Sequence, residues 1–97
     1  MILRLTRRAA KDIEDIADYI KAHDPAAALR VRTEIQVTLR NIAEYPEMGR
    51  RQDVEGVRKV VTQHHRFLIY YLADAVSGDF AVLTVQHPRK ERPFDDI

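Results

Sequence analysis

The sequence contains no cysteine. That excludes a disulfide framework and a Cys-ligated zinc site, and it accords with a reducing compartment. Long apolar runs are missing too. None approaches the roughly 18 residues of a spanning helix, and the start, Met1-Ile-Leu-Arg-Leu-Thr6, lacks the apolar core of a signal peptide. The expectation is a cytoplasmic protein with no membrane partner. Glycine (3) and proline (4) are few and scattered, with no linker, internal repeat or low-complexity tract. Net charge is almost absent: 16 Lys+Arg against 15 Asp+Glu leave +1. Simple electrostatic coating of nucleic acid favours a far more basic chain.

What is present is a chain of 97 residues, 45% hydrophobic and 32% charged. This hydrophobicity argues against disorder, which goes with low hydrophobicity and high net charge. At this length folding buries only roughly two-thirds of the unfolded surface. The reading is one domain over residues 1–97, too small for a large enclosed cofactor pocket, and no cofactor is expected.

The small net charge hides a division. Residues 1–48 carry eight basic and eight acidic side chains. Residues 49–72 carry five basic (Arg50, Arg51, Arg58, Lys59, Arg66) and two acidic (Asp53, Glu55). Residues 73–97 carry three basic and five acidic. The central segment, which also holds His64 and His65, is therefore the candidate anion-facing surface, suited to a local phosphate or an acidic protein partner.

Periodicity gives the fold class. Residues 1–5 alternate weakly and read as a short strand. Thr6 stands as an N-cap before Ala9, Ile13, Ile16, Ala17 and Ile20, which recur at helical spacing. Arg8/Asp12 and Lys11/Asp15 are i, i+4 pairs on the other side. Asp24-Pro25 reads as an N-cap with proline at the first helical position. Ala28, Val31, Ile35, Leu39 and Ile42 then share one face, and the helix should stop before Tyr45-Pro46. Two such helices with a short join form an antiparallel hairpin. Residues 56–63, 66–72 and 80–87 are β-rich, with Ser77-Gly78 suited to a turn. The expected fold is α+β: an N-terminal strand, then a helix hairpin packed on a small, mainly antiparallel sheet.

In order along the chain stand "LTRRAAKDIEDIADYI", "YPEMGRR", "VRKVV", "HRFLIYY" and "VLTVQHPRKER". The succession Pro46-x-x-Gly49-Arg50, Val57-Arg58, Arg66-Phe-Leu-Ile-Tyr-Tyr71 and Val85-Gln-His87-Pro-Arg89 resembles the RelE/ParE superfamily of type II toxin–antitoxin toxins, over essentially the whole chain. The resemblance implies a toxin neutralised by a cognate antitoxin, ParD-like with an acidic C-terminal tail, and plasmid stabilisation as a setting. It also implies one of two activities. RelE-like members cut mRNA on the ribosome; ParE-like members inhibit DNA gyrase and are not nucleases.

An RNA-cutting site needs a base for the 2′-OH, donors for the phosphorane and an acid for the leaving oxygen. The candidates are Arg58, Arg66, His87 and Arg89. The tail, Glu91-Arg-Pro-Phe-Asp-Asp-Ile97, supplies no Tyr or His to pair with His87 and adds acidic groups that repel RNA. His87 therefore reads as structural or partner-facing, and the ParE-like, non-enzymatic reading leads; an inactive antitoxin-binding module is a further alternative. The partner-binding set is Arg50, Arg51, Arg58, Lys59, Arg66, Arg89, Lys90, Arg92 and Phe94, since binding surfaces centre on Arg and aromatic anchors. No metal site is expected, because adjacent His64 and His65 in a strand would face opposite ways. Tyr70 and Tyr71 should do the same, one of them in the core. Asp12, Glu14, Asp15 and Asp18 read as a solvated helix face, Arg7-Arg8 as a surface contact near a helix start, and Arg50-Arg51 as a solvated loop.

Overall fold

The computed structural model describes residues 3–74 and 76–88. In chain order the elements are β1 (Leu3–Leu5), α1 (Arg7–Lys21), α2 (Pro25–Glu44), β2 (Arg50–Arg51), β3 (Val57–Val61), β4 (Leu68–Ala73) and β5 (Phe80–Gln86). They form one five-stranded sheet in the order β1-β5-β4-β3-β2, with the helix hairpin packed on it. β1 runs parallel to β5 and every other pairing is antiparallel. Among the described residues no helix is long and apolar enough to cross a membrane.

The helix boundaries follow from local chemistry. Thr6 Oγ1 accepts from the Ala9 amide at 3.0 Å and donates to the Leu83 carbonyl at 2.9 Å. One hydroxyl thus caps α1 and ties its start to β5. Asp24 Oδ1 accepts from the amides of Ala26 and Ala27, two first-turn donors without a partner inside the helix, while Pro25 at the first position has no N–H to satisfy. Glu44 is the last residue of α2, and Tyr45 before the proline has left the helical region, with φ −130° and ψ 77°.

The α2 stripe is buried as its spacing requires. Val31, Ile35, Leu39 and Ile42 join Ala9 from α1 and Val60, Ile69, Tyr71, Phe80, Val82 and Val85 from the sheet in one core. Ile13, Ile16 and Ile20 seal its margin. Tyr70 lies on the opposite sheet face with Val57 and Leu68, so the two tyrosines do point apart. The β4–β5 register shifts between them, a bulge that the alternation pattern does not reveal.

Two expectations are corrected. Arg50-Arg51 form a short edge strand, not a loop: Arg50 pairs with Lys59 and Arg51 with Arg58. Asp12 is not simply solvated. Its Oδ2 accepts from the Thr84 hydroxyl at 2.5 Å and from the Val85 amide at 3.1 Å, pinning α1 onto β5.

Candidate partner-binding site

The basic segment wraps around two ends of the sheet. At one end the loop after α2 folds over β3 and β4. Tyr71 Oη donates to the Pro46 carbonyl at 2.7 Å and accepts from the Gly49 amide at 2.9 Å. Arg58 Nη1 donates to the carbonyls of Gly49 at 2.8 Å and Glu47 at 3.1 Å. Residue 49 must be glycine, since a Cβ there would sit 2.6 Å from Tyr71 Oη and 2.9 Å from Arg58 Cβ. Burial pushes the Tyr71 phenol above its ordinary pKa, against the opposing pull of the Gly49 amide and the Arg58 charge. The spacing Pro46-x-x-Gly49 therefore encodes a loop clamped onto Tyr71 and Arg58.

That clamp changes how the cations read. Arg58 is tied into the loop, and with Arg51 it lines an open cleft of about 1000 Å³ that also holds Glu44, Glu47, Asp53, Glu55 and Asp74. The positive excess counted along the chain is diluted here by carboxylates brought in from other elements. The β2–β3 register sets Arg50 opposite Lys59 and Arg51 opposite Arg58, and the excess survives at the Arg50–Lys59 pair, neither member of which lines that cleft. Like charges directly opposite in a sheet repel. Lys59 lies 5.9 Å over the Tyr70 ring.

At the other end, the turn joining β3 to β4 carries Arg66, and His87 directly follows β5. Both line a second cleft with Asp12, Asp15, Tyr19, Ile16 and Ile20 of α1. The buried Phe67 lies between two imidazoles, 6.1 Å from His65 in a stacked arrangement and 5.6 Å from His87 edge-on. Arg58 pairs with Tyr71 near the far end of β4. At about 3.3 Å per residue it stands on the order of 15 Å from the turn that holds Arg66. The structure therefore brings Arg66 and His87 together and leaves Arg58 apart. Arg89, Lys90, Arg92 and Phe94 lie outside the described residues.

Sequence reasoning missed Glu34, which organises this turn. It projects from α2, where its Oε2 accepts from the amides of His64 at 2.9 Å and His65 at 2.8 Å. Oε1 is 2.6 Å from His65 Nδ1. Burial pushes the Glu34 carboxyl up, but hydrogen bonds from the Thr62 hydroxyl, the His65 ring and the two backbone amides hold it down at about 2. It is thus an anion at neutral pH, and His65 Nδ1 must carry the proton it shares. The available signal was a carboxylate inside the apolar stripe, between Val31, Ile35 and Thr38.

Comparison with known proteins agrees with this architecture. Residues 3–92 match the family model described as the ParE toxin of type II toxin–antitoxin system, parDE. The Y4kP protein of Sinorhizobium fredii is 34% identical over 91 residues, covering 94% of this chain and 92% of Y4kP. Toxin RelE2 of Caulobacter vibrioides is 35% identical over 71 residues, 73% of this chain and 80% of RelE2. The solved chromosomal ParDE system of P. aeruginosa gives a TM-score of 0.77 at 23% identity, over 90% of this chain and 95% of that one. The intact E. coli RelBE toxin–antitoxin complex gives 0.68 at 17% identity, over 94% and 98%. A helix hairpin on this five-stranded sheet is the toxin fold of the RelE/ParE superfamily. Within it, the chain belongs to the ParE toxin family of type II toxin–antitoxin systems.

Proposed function

We propose that this toxin acts by binding, inhibiting DNA gyrase, and that a cognate antitoxin with an acidic tail neutralises it. The observation that carries the antitoxin half is the β2–β3 register, which sets Arg50 against Lys59 and Arg51 against Arg58 at the sheet edge. Repulsion within such a ribbon is relieved when carboxylates dock on it. The relatives solved as ParDE and RelBE assemblies support an antitoxin partner.

For the target, the support is the dispersal of the cations that RNA cleavage would need together. Arg58 donates to loop carbonyls at one end of β4, while Arg66 and His87 sit at the other beside Asp12 and Asp15. A docking surface tolerates that dispersal; a phosphorane site does not. The test is direct. Purified toxin should block gyrase supercoiling, and its expression should cause filamentation with DNA-damage signalling. Transcripts cut on the ribosome, with cutting abolished by His87→Ala, would overturn this reading in favour of an mRNA endoribonuclease.

A further inference from the structure

Arg66 has φ 63°, the one described non-glycine residue in the left-handed region. Side chains there crowd the backbone, so the conformation persists only where surrounding contacts impose it. Those contacts are visible. Thr62 and Phe67 close the turn twice: the Thr62 amide donates to the Phe67 carbonyl, and the Phe67 amide donates to Thr62 Oγ1, each at 2.9 Å. Inside the loop so closed, the Glu34 carboxylate takes the successive amides of His64 and His65 and the His65 ring. With both ends and the middle fixed, the left-handed residue falls at position 66. Arg66 is exposed, and none of the ion pairs among the described residues includes it. The cleft it borders has an apolar wall of Ile16, Tyr19 and Ile20. The nearby Asp12 is occupied by Thr84 and Val85, and Asp15 stands 3.5 Å from Lys11.

We infer that Glu34 is a positioning residue: through the His64-His65 turn it holds Arg66 over the α1–β5 cleft, to receive a carboxylate of the antitoxin tail whose apolar neighbour enters that cleft. This rests on the acidic-antitoxin reading above and adds a second contact, at the opposite end of the sheet from the β2–β3 ribbon. Glu34 itself is buried and touches no partner. Its effect on binding passes through the backbone that presents Arg66.

The test is a double-mutant cycle on the full chain, titrated with the antitoxin expressed from the neighbouring reading frame. Arg66→Ala should weaken binding about 5- to 20-fold, and Glu34→Gln roughly 3- to 10-fold. The double variant should bind no more weakly than Arg66→Ala alone, because nothing remains for Glu34 to position. A merely structural role would give independent losses that multiply, and that result overturns the inference. Wild-type affinity in Glu34→Gln, with Arg66→Ala impaired, also overturns it. Failure of the broader reading looks different: no antitoxin binding by the wild-type chain. Should Glu34→Gln not fold, His65→Gln carries the same cycle, since it keeps both backbone bonds and removes the ring's contacts with Glu34 and Phe67. Its loss should likewise vanish in the Arg66→Ala background.

Discussion

The Glu34 carboxylate and His65 meet twice, through the ring Nδ1 at 2.6 Å and the backbone amide at 2.8 Å. A residue in the middle of α2 is thereby joined to a turn 31 positions later. Because Glu34 is ionised in the fold down to about pH 2, against 4.5 for an ordinary glutamate, its stabilisation has a fixed direction with pH. It is fully present above about pH 4.5 and is lost as the pH falls toward 2, on the order of 3 kcal/mol in all. Urea unfolding between pH 6 and 2.5 should show this decline in the native chain. In Glu34→Gln that component should be missing, and stability at neutral pH should be lower by about 2 kcal/mol.

Gly49→Ala tests the loop clamp. The added methyl would collide with Tyr71 Oη and Arg58 Cβ. A loss of about 1–3 kcal/mol is expected, as for overpacking elsewhere. Tyr71→Phe, which creates no clash but strips partners from the Gly49 amide and the Pro46 carbonyl, should cost about 1–2 kcal/mol. Thermal unfolding reads both; a neutral Gly49→Ala would mean the loop is not held where described.

Arg66→Gly should separate stability from binding. Glycine relieves the left-handed backbone, raising stability by about 0.5–1 kcal/mol. The same change removes the guanidinium, so antitoxin affinity should fall. Denaturation midpoint and calorimetric affinity moving in opposite directions is the expected signature.

The α1–sheet junction is held by two side chains. Thr6→Ala removes a cap and should cost about 1 kcal/mol. Asp12→Ala leaves the Thr84 hydroxyl and Val85 amide without their acceptor, at about 2 kcal/mol. Amide hydrogen exchange at Val85 should accelerate in the second variant and not in the first.

The helix hairpin was legible because its signals are local: Thr6, Asp24-Pro25, Tyr45-Pro46 and two apolar stripes each act within a few residues. The three longer strands followed from β-rich runs between polar stretches, and the opposed Tyr70 and Tyr71 from the alternation of side chains along a strand. What escaped depends on partners distant in sequence. Two residues of β2 carry no periodicity, and only the neighbouring β3 makes them a strand. Asp12 looked like one more surface carboxylate because its acceptor role is decided by Thr84 and Val85. Glu34 broke the α2 stripe, yet its meaning required the turn at His64-His65. The charge count along the chain also misled at one point, since folding sets Glu44, Glu47 and Asp74 in the same cleft as Arg51 and Arg58.

The parallel pairing of β1 with β5 has a consequence for how the molecule comes into being. Thr6 finds Leu83 across 77 positions, so a chain growing from its N-terminus makes the helix hairpin long before the strand between β1 and β4 exists. Until Phe80–Gln86 emerges, the hairpin's apolar face has only part of its cover and Asp12 lacks its Thr84 and Val85 partners. Closure waits for nearly the last described segment, as expected when long loops must be paid for before distant contacts form. The α1–β5 cleft, and with it the surface proposed to meet the antitoxin, is therefore completed only late in synthesis.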